Sequence, residues 1–178
     1  MVMSMVHDDL VRLGVKWLGS RCPVVISELV AGSEVPDCFG YEGRPYKDYN
    51  EYGSILIECK ISRSDFKADQ IKFVRREPEW GTGNYRFYLV PRGLVQLSEV
   101  PFGWGLLETS GKRVQCVKHA ERQESNMKQE THYLVSAFRR VKVDPEQCVS
   151  IKYYTIQTKC KATVSVKKDE GENNELVG

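Results

Sequence analysis

The hydrophobic positions of the first 120 residues shift repeatedly between helical and strand-like spacing. Near the amino terminus, apolar residues recur every three or four positions between two aspartates and a Gly-Ser pair, which predicts a helix from Asp8 to about Gly19. The runs rich in β-branched and aromatic residues predict strands at residues 23–31, 35–41, 55–60, 85–91 and 103–109.

A second helix is expected between the third and fourth of these strands. Ser62 or Ser64 can cap it, and its apolar positions are Phe66, Ile71, Phe73 and Val74. After the fifth strand, a tight turn leads into a further strand-like run at residues 113–118. The order helix, three strands, helix, strand predicts an α/β fold, with a mixed central sheet flanked by helices.

The last third of the chain follows a different pattern. A helix capped by Ser125 is expected to reach about Arg140, and strand-like runs follow at residues 149–156 and 162–166. The apolar side of this helix is expected to carry Thr131, Leu134, Val135 and Phe138. The predicted organisation is therefore a core at residues 1–120, a C-terminal helix plus basic β extension at 121–168, and an acidic, disordered tail at 169–178.

Charge in this C-terminal extension is strongly one-sided. Residues 139–168 hold eight lysines and arginines, Lys159 and Lys161 among them, against two acids. Such a surface suits contacts with the phosphates of nucleic acid. An edge strand that lysines protect from aggregation is an equally good interpretation.

Overall composition narrows the class of protein further. The 178 residues are 41% hydrophobic and 28% charged with a net charge of +2, which is typical of one globular domain. No apolar run approaches the roughly 18 residues that span a membrane, and no secretory signal is visible. Six cysteines without a C-x-x-C pair indicate reduced thiols, so we expect a cytoplasmic protein with no membrane partner. A homo-oligomer is possible, but the sequence does not indicate one.

Several chemistries lack the residues that they need. Cys116, His119, His132 and Cys148 are spaced too irregularly for a structural zinc site. None of the three histidines lies in a recognisable nucleophile motif, and no phosphate-binding glycine loop is present.

Two carboxylates and a lysine offer a more specific chemistry. Glu58 and Lys60 project from the same face of the third strand, because side chains alternate along a strand. If the second strand pairs with the third, Asp37 can lie beside Glu58. Two carboxylates suit Mg²⁺, and a nearby lysine can orient a water or stabilise developing charge. The trio therefore points to metal-assisted hydrolysis of a phosphodiester.

These residues resemble a known signature. Pro36-Asp37 followed by Glu58-Cys59-Lys60 is similar to the motif of PD-(D/E)XK nucleases. Three further segments, at residues 62–66, 85–91 and 103–107, resemble the small MmcB-type DNA-repair branch of that superfamily. The resemblance covers roughly residues 5 to 120.

The resemblance implies a restriction-endonuclease-like core and a Mg²⁺-dependent endonuclease acting on DNA, in repair or phage-type processing, with Mn²⁺ as a substitute. It implies Asp37, Glu58 and Cys59 as metal ligands, although strand alternation turns the Cys59 side chain away from the carboxylates. Lys60 would act on the attacking water. Glu28, at the end of the first strand, is either a further member of the site or an acid in water.

Other interpretations stay open at this stage. Glu58 and Lys60 can be an ordinary ion pair on a solvated face, with Asp37 a turn residue. The same fold can also serve as an inactive module that binds nucleic acid or protein. Arg44 and Lys47, in the tyrosine-rich loop at residues 42–53, can contact DNA or lie in a solvated loop, and Arg63 can bind phosphate.

Overall fold

The structure, a computed structural model, describes residues 5–31, 35–46, 51–140 and 154–156. Within these ranges, seven strands form one sheet in the order β6-β5-β4-β3-β2-β1-β7. They are β1 (Val24–Ser27), β2 (Cys38–Gly43), β3 (Gly53–Cys59), β4 (Tyr85–Pro91), β5 (Gly105–Thr109), β6 (Val114–Lys118) and β7 (Tyr154–Ile156). The sheet is mixed, because β3, β4 and β5 run parallel while β1, β2 and β3 pair in antiparallel fashion.

Helices cover both faces of this sheet. They are α1 (His7–Gly19), α2 (Arg63–Gln70), α3 (Phe73–Arg76) and α4 (Met127–Arg140). The predicted α/β architecture, a mixed sheet flanked by helices, is therefore confirmed. No helix in the described ranges has both the length and the apolar character that crossing a bilayer requires.

The first helix lies directly on β2. Its Leu10 and Leu18 are fully buried in a core that also contains Cys38 and Cys59. A Cβ placed on Gly14 would lie 2.8 Å from the sulfur of Cys38, so only glycine permits this close approach of helix and strand. The contact brings the N-terminus of α1 to the end of the sheet where β2 begins and β3 ends.

The first strand is shorter than the sequence pattern predicts. It ends at Ser27 rather than at residue 31, because Glu28 has a left-handed backbone with a φ of 49°. The Glu28 amide then donates to the carbonyl of Asp37 at 3.1 Å. Glu28 therefore lies in a turn beside Asp37 rather than in a strand.

The helix predicted after Lys60 is in fact two helices. Ser62 caps α2 by accepting a hydrogen bond from the Asp65 amide, and the helix stops before Ile71. Ile71 and Phe73, expected on its apolar face, are 74% and 56% exposed. The break at Ile71-Lys72 changes the direction of the chain, so that α3 presents Arg75 to the sheet.

The face that α4 buries is also different from the predicted one. Val135 and Phe138 are exposed, whereas Glu130, Tyr133 and Ala137 are buried. Tyr133 packs edge-on against Phe39 of β2. Glu130 accepts hydrogen bonds from the Gly83 amide and the Ser54 hydroxyl, both at 2.8 Å. Helix α4 thus packs on the sheet formed by residues 1–120. The strand-like run at 162–166 and the tail at 169–178 lie outside the described residues.

Candidate active site

Asp37, Glu58 and Lys60 meet at one edge of the sheet. Asp37 lies just before β2 and Glu58 is the last residue but one of β3, and these strands pair with Cys38 opposite Ile57. One carboxylate oxygen of Asp37, Oδ2, accepts a hydrogen bond of 2.7 Å from the amide of Cys59. This bond ties the start of β2 to the end of β3 and holds the Asp37 carboxylate beside the motif.

The Lys60 ammonium is the centre of the cluster. Its Nζ donates to Glu58 Oε2 at 2.9 Å and lies 3.9 Å from Asp37 Oδ2. A third carboxylate, Asp69 Oδ1, is 3.4 Å away. Burial alone would lower the pKa of Lys60, but the three carboxylates outweigh burial and raise it. Lys60 therefore stays charged at neutral pH.

Asp69 is a site residue that sequence reasoning missed. It is buried on α2, where it accepts hydrogen bonds of 2.8 Å from Tyr88 Oη and from Arg75 Nε. Lys72 Nζ lies 2.6 Å from its other oxygen. These partners outweigh burial and hold the pKa of Asp69 below its ordinary value. A signal exists in the sequence, because Asp69 follows Phe66 by three residues and so shares its buried helical face.

Arg75 was also missed, and it changes the electrostatics of the site. Its side chain is 2% exposed, and its Nη2 lies 3.0 Å from Glu58 Oε1. Among the described residues, Oε1 nevertheless accepts no hydrogen bond, so this contact is electrostatic. Burial raises the pKa of Glu58 to about 7, because Arg75 and Lys60 offset only part of the cost of burying a carboxylate.

Three acids and three bases balance in this cluster. The acids are Asp37, Glu58 and Asp69, and the bases are Lys60, Lys72 and Arg75. The interpretation of Glu58 and Lys60 as an ion pair on a solvated face is wrong, since their side chains are 3% and 7% exposed.

Solvent reaches the cluster from the side of Asp37, whose side chain is 18% exposed. His7 Nε2, at the start of α1, lies 3.4 Å from Asp37 Oδ1, and this contact raises the pKa of His7. His7, Asp8 and Glu28 offer ligand atoms that all lie within 4.8 Å of one another. The open side of the site therefore carries these three residues beside Asp37, and Glu28 lies at its border.

Cys59 contributes only its backbone to this site. Its side chain is buried in the core beneath α1, and burial raises the pKa of the thiol. The expectation that the Cys59 sulfur binds metal is therefore wrong. Side chains alternate along β3, so those of Glu58 and Cys59 project from opposite faces of the sheet.

Of the residues predicted to contact nucleic acid, the two that the structure describes, Arg44 and Arg63, lie apart from each other. Arg63 is held by Glu99 through an ion pair and by the carbonyl of Leu94 at 3.0 Å. Arg44 follows β2, at the end of that strand opposite Asp37. Lys47, Lys159 and Lys161 lie outside the described residues.

No protein-family model and no curated protein matches this chain. The chain is similar in structure to SPO1766, a protein of unknown function from Silicibacter pomeroyi. The TM-score is 0.57 and the sequence identity 23%, over 76% of this chain and 88% of that one. A similarity of this degree shows that the two chains share a fold.

Proposed function

We propose that this protein is a PD-(D/E)XK-type nuclease that hydrolyses phosphodiester bonds of DNA with Mg²⁺. One observation carries the proposal: the carboxylates of Asp37 and Glu58 converge on a single charged lysine, and Asp37 opens this cluster to solvent. Two carboxylates and a lysine in this relation are the groups that such a reaction needs.

The residues present fit a hard divalent cation. Asp37 and Glu58 supply oxygen ligands. Glu58 Oε1 is buried and accepts no hydrogen bond within the described part of the chain, and its cationic neighbour is Arg75 Nη2 at 3.0 Å. Asp37 and Glu58 would hold Mg²⁺, or Mn²⁺ in its place. When bound, the ion would acidify a water molecule and neutralise charge on the phosphate.

Lys60 has an electrostatic role in this proposal. Because the neighbouring carboxylates raise its pKa, the ammonium keeps its proton and cannot act as a general base at neutral pH. It can orient a water molecule and stabilise the negative charge that develops on the phosphate oxygens. The Asp69 carboxylate contacts the Lys60 ammonium and holds it in position. Hydrogen bonds from Tyr88 and Arg75 hold the Asp69 carboxylate itself.

Incubation with plasmid, linear, single-stranded and branched DNA tests the proposal. We expect cleavage of at least one form with Mg²⁺ or Mn²⁺ and none with EDTA. Cleavage that persists in EDTA, or intact DNA in every form with both metals, would overturn the metal-dependent nuclease.

The response to metal should depend on pH. Because the pKa of Glu58 is raised from 4.5 to about 7, the folded protein binds this proton more tightly than the unfolded chain does. Without metal, the contribution of Glu58 to stability therefore falls as pH rises between these values. Metal needs the ionised form, so the Mg²⁺-induced rise in Tm should be small below about pH 6 and reach a plateau above about pH 8.

Differential scanning fluorimetry across this range measures the effect. Glu58→Gln should abolish the rise at every pH, because the amide cannot ionise. A Mg²⁺ response of constant size across the range would contradict the assignment of Glu58 as a ligand.

A second function is favoured by the balance of charge in the site. Each of the three acids already has a cationic partner among the described residues, so the contacts of the cluster do not require a metal ion. The alternative is a module that binds nucleic acid or protein on the same fold without turnover. For such a module, neither Mg²⁺ nor Mn²⁺ would support DNA cleavage by the wild type.

A further inference from the structure

A second concave site lies on the α1 side of the sheet, at the far end of β3 from Glu58. It encloses about 1100 Å³. Its lining includes Trp17, Arg21, Arg44, Tyr46, Tyr52 and His119. We propose that this cavity binds an unpaired nucleotide of a DNA strand, an inference that rests on the proposed nuclease function.

Two arginines place positive charge at the cavity. The Arg21 guanidinium lies 3.8 Å above the Trp17 ring, and its Nη1 donates to the Trp17 carbonyl at 2.9 Å. Arg44 is exposed, and its guanidinium lies 4.5 Å from the centre of the Tyr52 ring. Stacking holds both guanidinium groups in place, so little conformational entropy is lost when they bind an anion.

The same cavity offers aromatic surface for a base. Tyr46 stacks on His119 with ring centres 3.8 Å apart, and its hydroxyl accepts a hydrogen bond from the Ala120 amide. This pair is fixed, whereas Tyr52 is 51% exposed and has ring surface left for stacking. Glu42 is the one acid in the described lining. Cationic and aromatic groups in one cavity match a phosphate joined to a planar base.

A DNA strand in the cavity would follow α1 to reach Asp37, while Glu58 projects from the opposite face of the sheet. Helix α1 begins with His7 at the acidic site and brings Trp17 to the cavity. Ten residues of helix span about 15 Å. Along β3, the five steps from Gly53 to Glu58 span roughly 16 Å. One strand of B-form DNA advances about 3.4 Å per nucleotide, so these lengths along α1 and β3 correspond to four to five nucleotides.

Fluorescence polarisation with a labelled single-stranded oligonucleotide in EDTA tests the inference, because binding is then measured without cleavage. Tyr52→Ala should weaken binding about tenfold, the loss of one stacked base, and Arg44→Ala should weaken it and reduce its salt dependence. Two controls remove an exposed aromatic ring or an exposed cation elsewhere: Phe102→Ala and Lys128→Ala. Both should bind as tightly as the wild type.

The inference is overturned if Tyr52→Ala binds the oligonucleotide like the wild type, or if the controls lose as much affinity. A second arm uses a labelled mononucleotide. If that nucleotide binds through Tyr52 while the oligonucleotide does not, the cavity serves free nucleotides and the DNA assignment is wrong. A protein that binds the strand through Tyr52 but never cleaves DNA would keep this inference and overturn the nuclease.

Discussion

Replacing Lys60 with methionine should lower the rate of metal-dependent DNA cleavage by about 10²–10³-fold, the usual loss when one transition-state donor is removed. Methionine keeps the apolar stem of the side chain but removes the ammonium that lies between Glu58, Asp69 and Asp37. The Mg²⁺-induced rise in Tm should persist, because both proposed ligands remain. Single-turnover cleavage and scanning fluorimetry on the same samples measure the two effects.

Lys72→Met is the matched control for this variant. Lys72 also binds Asp69, at 2.6 Å, but its side chain is 52% exposed, and no described contact joins it to Glu58 or Asp37. We expect it to cleave DNA at nearly the rate of the wild type. An equal loss of cleavage rate in Lys60→Met and Lys72→Met would show that Lys60 only neutralises the charge of Asp69. Its proposed role in the reaction would then be wrong.

Replacing Arg75 with methionine should lower the free energy of unfolding by about 3–5 kcal/mol, which is typical when one partner of a buried ion pair is removed. The change deprives Asp69 of a 2.8 Å hydrogen bond and Glu58 of its only described cation at Oε1. Urea denaturation measures the loss. Adding Mg²⁺ should restore part of it, because a cation at Glu58 would replace the missing charge.

Arg76→Met is the control, since this neighbour is exposed and should change stability little. If both variants were as stable as the wild type, the guanidinium of Arg75 would contribute nothing to the cluster. If Arg75→Met lost stability but Mg²⁺ restored none, the site would not accept the ion, and the module without turnover would be favoured.

Local patterns were sufficient to predict strands β2 to β6 and the first helix. Alternation and turn residues mark each strand within a few positions, and the motif residues meet because β2 and β3 pair as neighbours. The error at Glu28 has a specific cause. No pattern in the sequence announces the left-handed backbone that ends β1 before residue 31.

The positions of Arg75, Asp69 and Tyr88 in the site depend on tertiary contacts that no local sequence pattern encodes. Arg75 reaches Glu58 only because the helix after Lys60 breaks at Ile71-Lys72 and turns back over the sheet. Tyr88 reaches Asp69 because β3 and β4 run parallel and place Glu58 opposite Tyr88. Helical periodicity wrongly predicted that Phe73 is buried. It also cannot show that Arg75 contacts Glu58 and Asp69.

Cleavage of DNA by Asp37→Asn tests the central claim most directly. Asparagine keeps an oxygen that can accept the hydrogen bond from the Cys59 amide. The fold should therefore survive while the negative charge is lost. Asp65→Asn makes the same chemical change on α2, and no ion pair of Asp65 is found among the described residues. We predict metal-dependent cleavage by the wild type and Asp65→Asn, and none by Asp37→Asn, with equal DNA binding by all three. Cleavage by Asp37→Asn at the rate of the wild type would contradict the assignment.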